Sequence, residues 1–227
     1  MGTKRAENLD LAKYRTLVFD CDGVILNSNP IKTDAFYQAA LPYGDEPARK
    51  LREYHVEHGG ISRYHKFDWF LKTVLGREIP SEEEREELLE RYAALVWDAI
   101  LECEIDEAIF ELRRQTPDAR WIVASGGDQN ELRTLFSRRG LDHLFDGGIF
   151  GSPTSKKVIL KENEGIVATF RPALFFGDSM HDYHSAVNAE IDFAFVSHWS
   201  EIDPIPNGFS LILETLADAT TNQRRKQ

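Results

Sequence analysis

The sequence predicts an α/β protein: a doubly wound parallel sheet carrying an α-helical block inserted after its first strand. Short apolar runs that stop abruptly at Asp, Ser or Gly occur once near the start and recur after residue 104. Helical patterns separate these later runs, and strands that alternate with helices assemble into a parallel sheet. From about residue 31 to residue 100 the alternation stops, and helical patterns follow one another without a strand between them.

Residues 1–15 are charged and lead in as a short arm or helix. The first strand covers residues 16–20, where Thr16-Leu17-Val18-Phe19 runs into Asp20-Cys21-Asp22-Gly23. An apolar run broken by Gly reads as a buried strand leaving its sheet. Asn27-Ser28-Asn29-Pro30 is loop chemistry, and helices are expected over 34–41, 48–58 and the aromatic-rich 63–75. Ser81-Glu82-Glu83-Glu84 matches a capping box and opens a long helix whose apolar positions, Leu88 to Ile100, recur at 3.6 spacing. Its glutamates read as a solvated helix start, where negative charge is favourable, rather than as a metal site.

Beyond Ile105 a helix over 106–115 leads into a strand, Arg120 to Ala124, which ends on Ser125-Gly126-Gly127. A helix with Leu132, Leu135 and Phe136 stops at Gly140, and a short strand is expected over 145–150. Gly151-Ser152-Pro153-Thr154-Ser155-Lys156-Lys157 forms a loop, with a helix after it over 158–166. Strands at 174–178 and 193–196 flank a helix over 182–189, and the tail 222–227 is polar.

Composition narrows the function. The chain of 227 residues is 42% apolar and 29% charged, which describes an ordinary globular protein. Its formal charge of −11 argues against nucleic acid as a partner, because phosphate backbones need basic clusters. A small anionic substrate needs only a local positive site. The two cysteines, Cys21 and Cys103, form no Cys-x-x-Cys pair, so a reduced cytoplasmic setting is expected. No signal peptide and no membrane span are expected.

The ends of all strands of a parallel sheet share one edge, so Asp20, Asp22, Ser125, the Gly151–Lys156 loop, Asp178 and Asp182 converge there. Together they suit phosphoryl transfer. One carboxylate attacks phosphorus and a second moves protons. A hydroxyl, amides and a lysine neutralise phosphoryl oxygens, and Mg²⁺ binds carboxylate and phosphate together. Arg63, after Gly59-Gly60-Ile61-Ser62, is either an anion-binding group or a solvated arginine after a flexible turn. His55/His58 and His181/His184 have i,i+3 spacing but lack further ligands for Zn²⁺. Cys21 is not read as a nucleophile, and Trp69, Trp97 and Trp121 are expected in the core.

These motifs resemble those of the haloacid dehalogenase superfamily, in order and across nearly the whole chain. Asp20-Cys21-Asp22-Gly23-Val24 is similar to the first motif, and Ser125 after Val123-Ala124 to the second. Lys156, or failing it Lys157, is similar to the third, and Gly177-Asp178-Ser179-Met180-His181-Asp182 to the fourth. The resemblance implies Asp20 as nucleophile and Asp22 as general acid/base. It implies Ser125, Gly126 and Lys156 on the phosphoryl group. Mg²⁺ would lie at Asp20, Asp22 (through its carbonyl), Asp178 and Asp182. Residues 1–27 and 104–227 would form the catalytic core, and residues 28–103 a helical cap of the C1 type. Asn27 departs from the Asp common in relatives at that position.

The implied activity is a Mg²⁺-dependent phosphatase for a small phosphorylated metabolite, such as a sugar phosphate or phosphoglycolate, working as a monomer or homodimer. A phosphomutase of the β-phosphoglucomutase type would share every motif. A 2-haloacid dehalogenase would need neither Mg²⁺ nor Asp22, and a non-catalytic binding protein would not need the full polar set.

Overall fold

The computed structural model describes residues 4–5, 9–162 and 171–221. The expected helix end at Ile166, part of the lead-in arm and the polar tail lie outside the described residues.

Seven parallel strands form one sheet in the order β1-β7-β6-β5-β2-β3-β4. They are β1 (Lys4–Arg5), β2 (Thr16–Phe19), β3 (Arg120–Asp128), β4 (Gly148–Ser152), β5 (Ala173–Gly177), β6 (Asp192–Val196) and β7 (Leu211–Leu213). In β2 every residue is buried, because β3 and β5 pair with it on both sides. Successive strand residues face opposite ways. Hence Leu17, Phe19, Trp121, Val123 and Phe176 enter one apolar layer, and Val18, Ile122, Phe175 and Phe195 enter the other. In the first layer Phe19 stacks on Phe176 at 4.9 Å and meets Trp121 at 4.5 Å.

Helices cover both faces, as an all-parallel sheet requires. On the Phe19 face, α5 (Ala108–Gln115) contributes Ile109 and Leu112, and α6 (Gln129–Arg138) contributes Leu132 and Phe136. On the other face, α7 (Lys156–Glu162) contributes Ile159 and α8 (Met180–Asn188) contributes Ala186. A last helix, α9 (Ala217–Thr221), returns Ala219 to the Phe19 layer, joined there by Leu216 just before it.

Between β2 and β3 lie α1 (Asn29–Ala40), α2 (Asp45–Glu57), α3 (Arg63–Trp69) and α4 (Glu82–Glu102). Phe36 sits at their centre, its ring 4.4 Å from His55, 5.3 Å from Phe67 and 4.4 Å from Tyr92. Ser81 caps α4 by accepting from the Glu84 amide at 3.0 Å. The chain enters and leaves this block through adjacent segments: the Asn27 amide donates to Glu104 O at 3.0 Å, and the Asp106 amide to Ile25 O at 3.0 Å. Trp121 is fully buried, whereas Trp69 is half-buried and stacks on Tyr54 at 3.8 Å.

Several expected elements shift. The strand expected over 145–150 starts later, at Gly148, after a 3₁₀ turn over Asp142–Leu144. Phe145 instead packs on Phe136 at 5.4 Å and Trp121 at 5.8 Å, so it belongs to the helix–sheet interface. The helix expected over 63–75 changes to a π turn at Phe70–Val74, where the Leu75 amide reaches back to Phe70 O. Helix α8 starts two residues before the expected Asp182, because Ser179 and Asp182 form a reciprocal capping box. Strands β1 and β7 are too short to show a sequence period. Among the described residues no helix is long and apolar enough to cross a membrane.

Candidate active site

Asp20 follows β2 directly, and its amide extends the ladder by donating to Phe176 O at 2.9 Å. One carboxylate oxygen accepts from the Cys21 amide at 2.7 Å. The other accepts from Lys156 Nζ at 2.6 Å, and the same ammonium reaches Asp182 Oδ1 at 2.5 Å. Lys156, at the start of α7, is 1% exposed, whereas Lys157 points to solvent. Position, not type, separates the two lysines.

Asp178 follows β5 as Asp20 follows β2. Asn29 Nδ2 donates to its Oδ2 at 2.7 Å. The capping box holds Asp182, whose Oδ2 accepts from Ser179 Oγ at 2.6 Å. Two glycines make room for these acids. A Cβ on Gly23, whose φ is +73°, would collide with the Asp178 carboxylate, and one on Gly177 would collide with Asp182. Ligand oxygens of Asp20, Asp178 and Asp182 lie within 4.8 Å of one another. Two of these three carboxyl groups share the Lys156 ammonium, and the third, Asp178, is held by Asn29.

The electrostatic result is proton retention. Burial, then the neighbouring Asp182, pushes Asp20 up to about 8 against the opposing pull of Lys156. Burial, then Asp20 and Asp182, raises Asp178 well above the usual carboxylate range. The same two acids push the Lys156 ammonium upward against burial.

Asp22 stands outside this cluster. Its Oδ1 accepts from Ser28 Oγ at 2.6 Å and pairs with Lys32 Nζ at 2.6 Å, both contributed at the start of α1. Burial works against its charge, but Lys32 and Ser28 outweigh burial and hold the carboxyl below its ordinary range. Ser125 is fully buried, with Oγ accepting from the Gly127 amide at 3.0 Å. The β3–β4 ladder is interrupted between Ala124 and Asp128, around these small residues.

A cavity of about 240 Å³ lies between the sheet edge and the helical block. Asp20, Asp22, Gly126 and Asp178 line it from the core side, and His55, Gly60, Arg63 and Lys66 from the block. Ser125, Lys156 and Asp182 sit behind this wall, buried.

Arg63 is not a solvated arginine: it is 9% exposed, lines the cavity and carries a partner. Its guanidinium forms a two-pronged pair with Glu131 of α6, Nη1 donating at 3.1 Å to Oε1 and Nη2 to Oε2. Next to it Tyr64 Oη donates to Asp128 Oδ2 at 3.0 Å. Among the described residues the histidine pairs gather no metal set. His55 bonds to Lys66, and His58 Nδ1 lies 3.1 Å from its own helix at Tyr54 O. Burial drives the Cys21 thiol well above its ordinary value, which suits an inert core group.

Sequence reasoning passed over Asn29, Lys32 and Lys66, weighed His55 only as a Zn²⁺ ligand, and gave Ser179 no role of its own. Only Ser179 carried a local signal, the Ser-x-x-Asp spacing of a capping box. The others reach the site by folding of the helical block.

The model of the haloacid dehalogenase-like hydrolase family matches residues 14–190, and the chain belongs to that family. None of the curated proteins matches the chain. Among solved structures it is similar to β-phosphoglucomutase from Clostridium difficile, at 18% identity and TM-score 0.72 over 94% of this chain and 96% of that one. A predicted phosphoglycolate phosphatase from Haemophilus somnus is 17% identical at TM-score 0.69, covering 96% of this chain and 100% of its own. YfnB from Bacillus subtilis, a HAD-hydrolase by assignment and bound to magnesium, is 17% identical at TM-score 0.63, covering 91% and 96%. At these identities the likeness is one of fold.

Proposed function

We propose that this haloacid dehalogenase-like hydrolase is a Mg²⁺-dependent phosphatase that acts on a small phosphorylated metabolite through an aspartyl-phosphate on Asp20. The observation that carries the proposal is the division of labour between two acids two residues apart. Asp20 is held among Lys156, Asp178 and Asp182, while Asp22 is held apart, by Ser28 and Lys32.

In this reading an Asp20 oxygen forms the bond to phosphorus as the ester oxygen leaves. Asp22 gives that oxygen a proton. Water then attacks phosphorus, the Asp20–phosphorus bond breaks, and Asp22 takes the proton from the water. The proton that Asp22 gives in the first step is thus recovered in the second. Ser125, the Gly126 amide and Lys156 hold the phosphoryl oxygens throughout.

The donor set suits a hard divalent cation, which prefers oxygen ligands. Three buried carboxyls cluster beside one lysine, and burial, then the repulsion of the neighbouring carboxylates, raises Asp20 and Asp178. Asp20, Asp178 and the Asp22 carbonyl would hold Mg²⁺, with Asp182 in support. The ion would offset phosphoryl charge. Residues 28–103 would act as a cap over a core of residues 1–27 and 104–227. The paired segments at 25–27 and 104–106 would serve as its hinge, and the cap would exclude water during transfer.

The test is phosphate release from a panel of phosphorylated sugars, nucleotides and hydroxy acids, with Mg²⁺ and with EDTA, beside Asp20→Asn. Metal-dependent release that Asp20→Asn abolishes is expected. Release that survives the substitution overturns the mechanism. Interconversion of hexose phosphates primed by a bisphosphate, without net release, assigns a mutase instead.

A further inference from the structure

Four cations face the cavity or lie directly behind its wall, and three of them are committed to carboxylates. Lys156 is held by Asp20 and Asp182, Lys32 by Asp22, and Arg63 by Glu131. Lys66 is different. Its side chain lines the cavity from α3 and is 1% exposed, yet among the described residues its ammonium is in ion-pair contact with no acid. Its hydrogen-bond partner is His55 Nδ1, at 2.7 Å, and the Phe36 ring lies 5.3 Å away.

His55 cannot supply the missing charge. Burial, then Lys66 and Lys32, keeps it neutral, well below its ordinary value. Its Nε2 faces Glu201 at 3.9 Å, and Glu201 accepts from Thr33 Oγ1 at 2.6 Å. The ring is therefore aligned between Thr33-anchored Glu201 and Lys66, which fixes where the amine points. Other charges around Lys66 are Lys32 on α1, Asp22 after β2, Glu201 after β6 and Lys156 on α7. Burial, then Lys32, draws the amine down to about 7, close to neutrality. A buried cation without a counter-ion is costly, and an arriving anion removes that cost.

We propose that Lys66, oriented by His55, is the specificity residue for a carboxylate carried on the leaving portion of the substrate. The preferred substrates are then phosphomonoesters of small hydroxy acids. One amine with a neutral imidazole matches a single negative charge. A cavity of about 240 Å³ that must also admit the phosphoryl group restricts the remainder to a few carbon atoms. This rests on the phosphatase reading above but places the substrate's second charge, which that reading leaves open.

The test compares 3-phosphoglycerate with glycerol 3-phosphate, which differ at one terminus, carboxylate against hydroxymethyl. Wild-type protein is expected to favour the acid by at least about tenfold in kcat/KM, the scale of one charge-assisted contact. In Lys66→Met the ratio falls towards one, and because the ratio is internal to each protein a general loss of activity cancels. A second measurement does not need turnover. Calorimetry on Asp20→Asn should show 3-phosphonopropionate binding at least about tenfold tighter than propylphosphonate, with the difference lost in Lys66→Met. Equal affinities, no binding of either, or a preference that survives Lys66→Met overturns the proposal. Absence of phosphate release with the binding preference intact overturns the phosphatase reading and leaves the anion site standing.

Discussion

Lys32 Nζ lies 2.6 Å from Asp22 Oδ1, and this pair joins the first helix of the helical block to the second acid of the core. It lowers the Asp22 carboxyl below its ordinary range and holds it apart from the buried cluster of Asp20, Asp178 and Asp182. Asp22→Asn is expected to reduce turnover by about 10²–10⁴, the usual contribution of a positioned acid/base. Lys32→Met removes the main opposing charge, so the Asp22 carboxyl titrates at higher pH. The alkaline limb of kcat/KM, on which Asp22 loses the proton it gives to the leaving oxygen, should therefore move to higher pH. An unmoved limb would separate Lys32 from Asp22.

Lys156 and Lys157 give a sharper contrast, because one chemical type occupies two adjacent positions. Only Lys156 is buried against Asp20 and Asp182. Lys156→Ala should lower phosphate release by at least about 10²-fold, the scale of a lost electrostatic stabiliser, whereas Lys157→Ala should stay within about threefold of wild type. Steady-state kinetics on the two variants decides it. Similar losses in both would overturn the geometry.

Much of this site was legible because chemistry and topology coincide in the sequence. Asp20, Ser125 and Asp178 each end an apolar run, and a parallel sheet brings such ends to one edge. The helical block was legible only as a pattern. His55 and Lys66 meet from two different helices, Arg63 meets Glu131 across 68 positions, and Asn29 meets Asp178 across 149. No local period encodes such pairs. The π turn at Phe70–Val74 and the displaced start of β4 arise from tertiary packing of Phe70 and Phe145, which propensity does not report.

Metal binding should be proton-linked, with a definite sign. Asp20 titrates near 8 without a cation, and Asp178 is raised as well, so below about pH 8 an incoming ion must displace protons. Mg²⁺ affinity measured by calorimetry should fall by about tenfold per pH unit for each proton displaced as pH drops from 8 to 6. The folded pKa of Asp20 exceeds the ordinary carboxyl value of 3.8, so the metal-free fold binds more protons than the unfolded chain. Its contribution to stability is complete in acid and is lost as pH rises through about 8. Mg²⁺ should then raise Tm more at pH 8 than at pH 6. A pH-independent Mg²⁺ affinity would contradict this cluster.

The helical block and the core also meet at Arg63 and Glu131, beside a backbone contact that admits no side chain. A Cβ on Gly126 would collide with the carbonyl oxygen of Gly60, and neither backbone is a flexible chain end. The Arg63 side chain is 9% exposed and that of Glu131 35%, so solvent screens the pair in part. A double-mutant cycle with Arg63→Met and Glu131→Gln is expected to give a coupling of about 1 kcal/mol in unfolding free energy. Gly126→Ala acts differently, because it forces the two surfaces apart without removing a charge. It should raise KM and lower kcat together while Tm changes little, the signature of a closure that no longer completes. If Gly126→Ala instead unfolds the protein and leaves the residual folded fraction fully active, the contact stabilises the fold and does not govern closure.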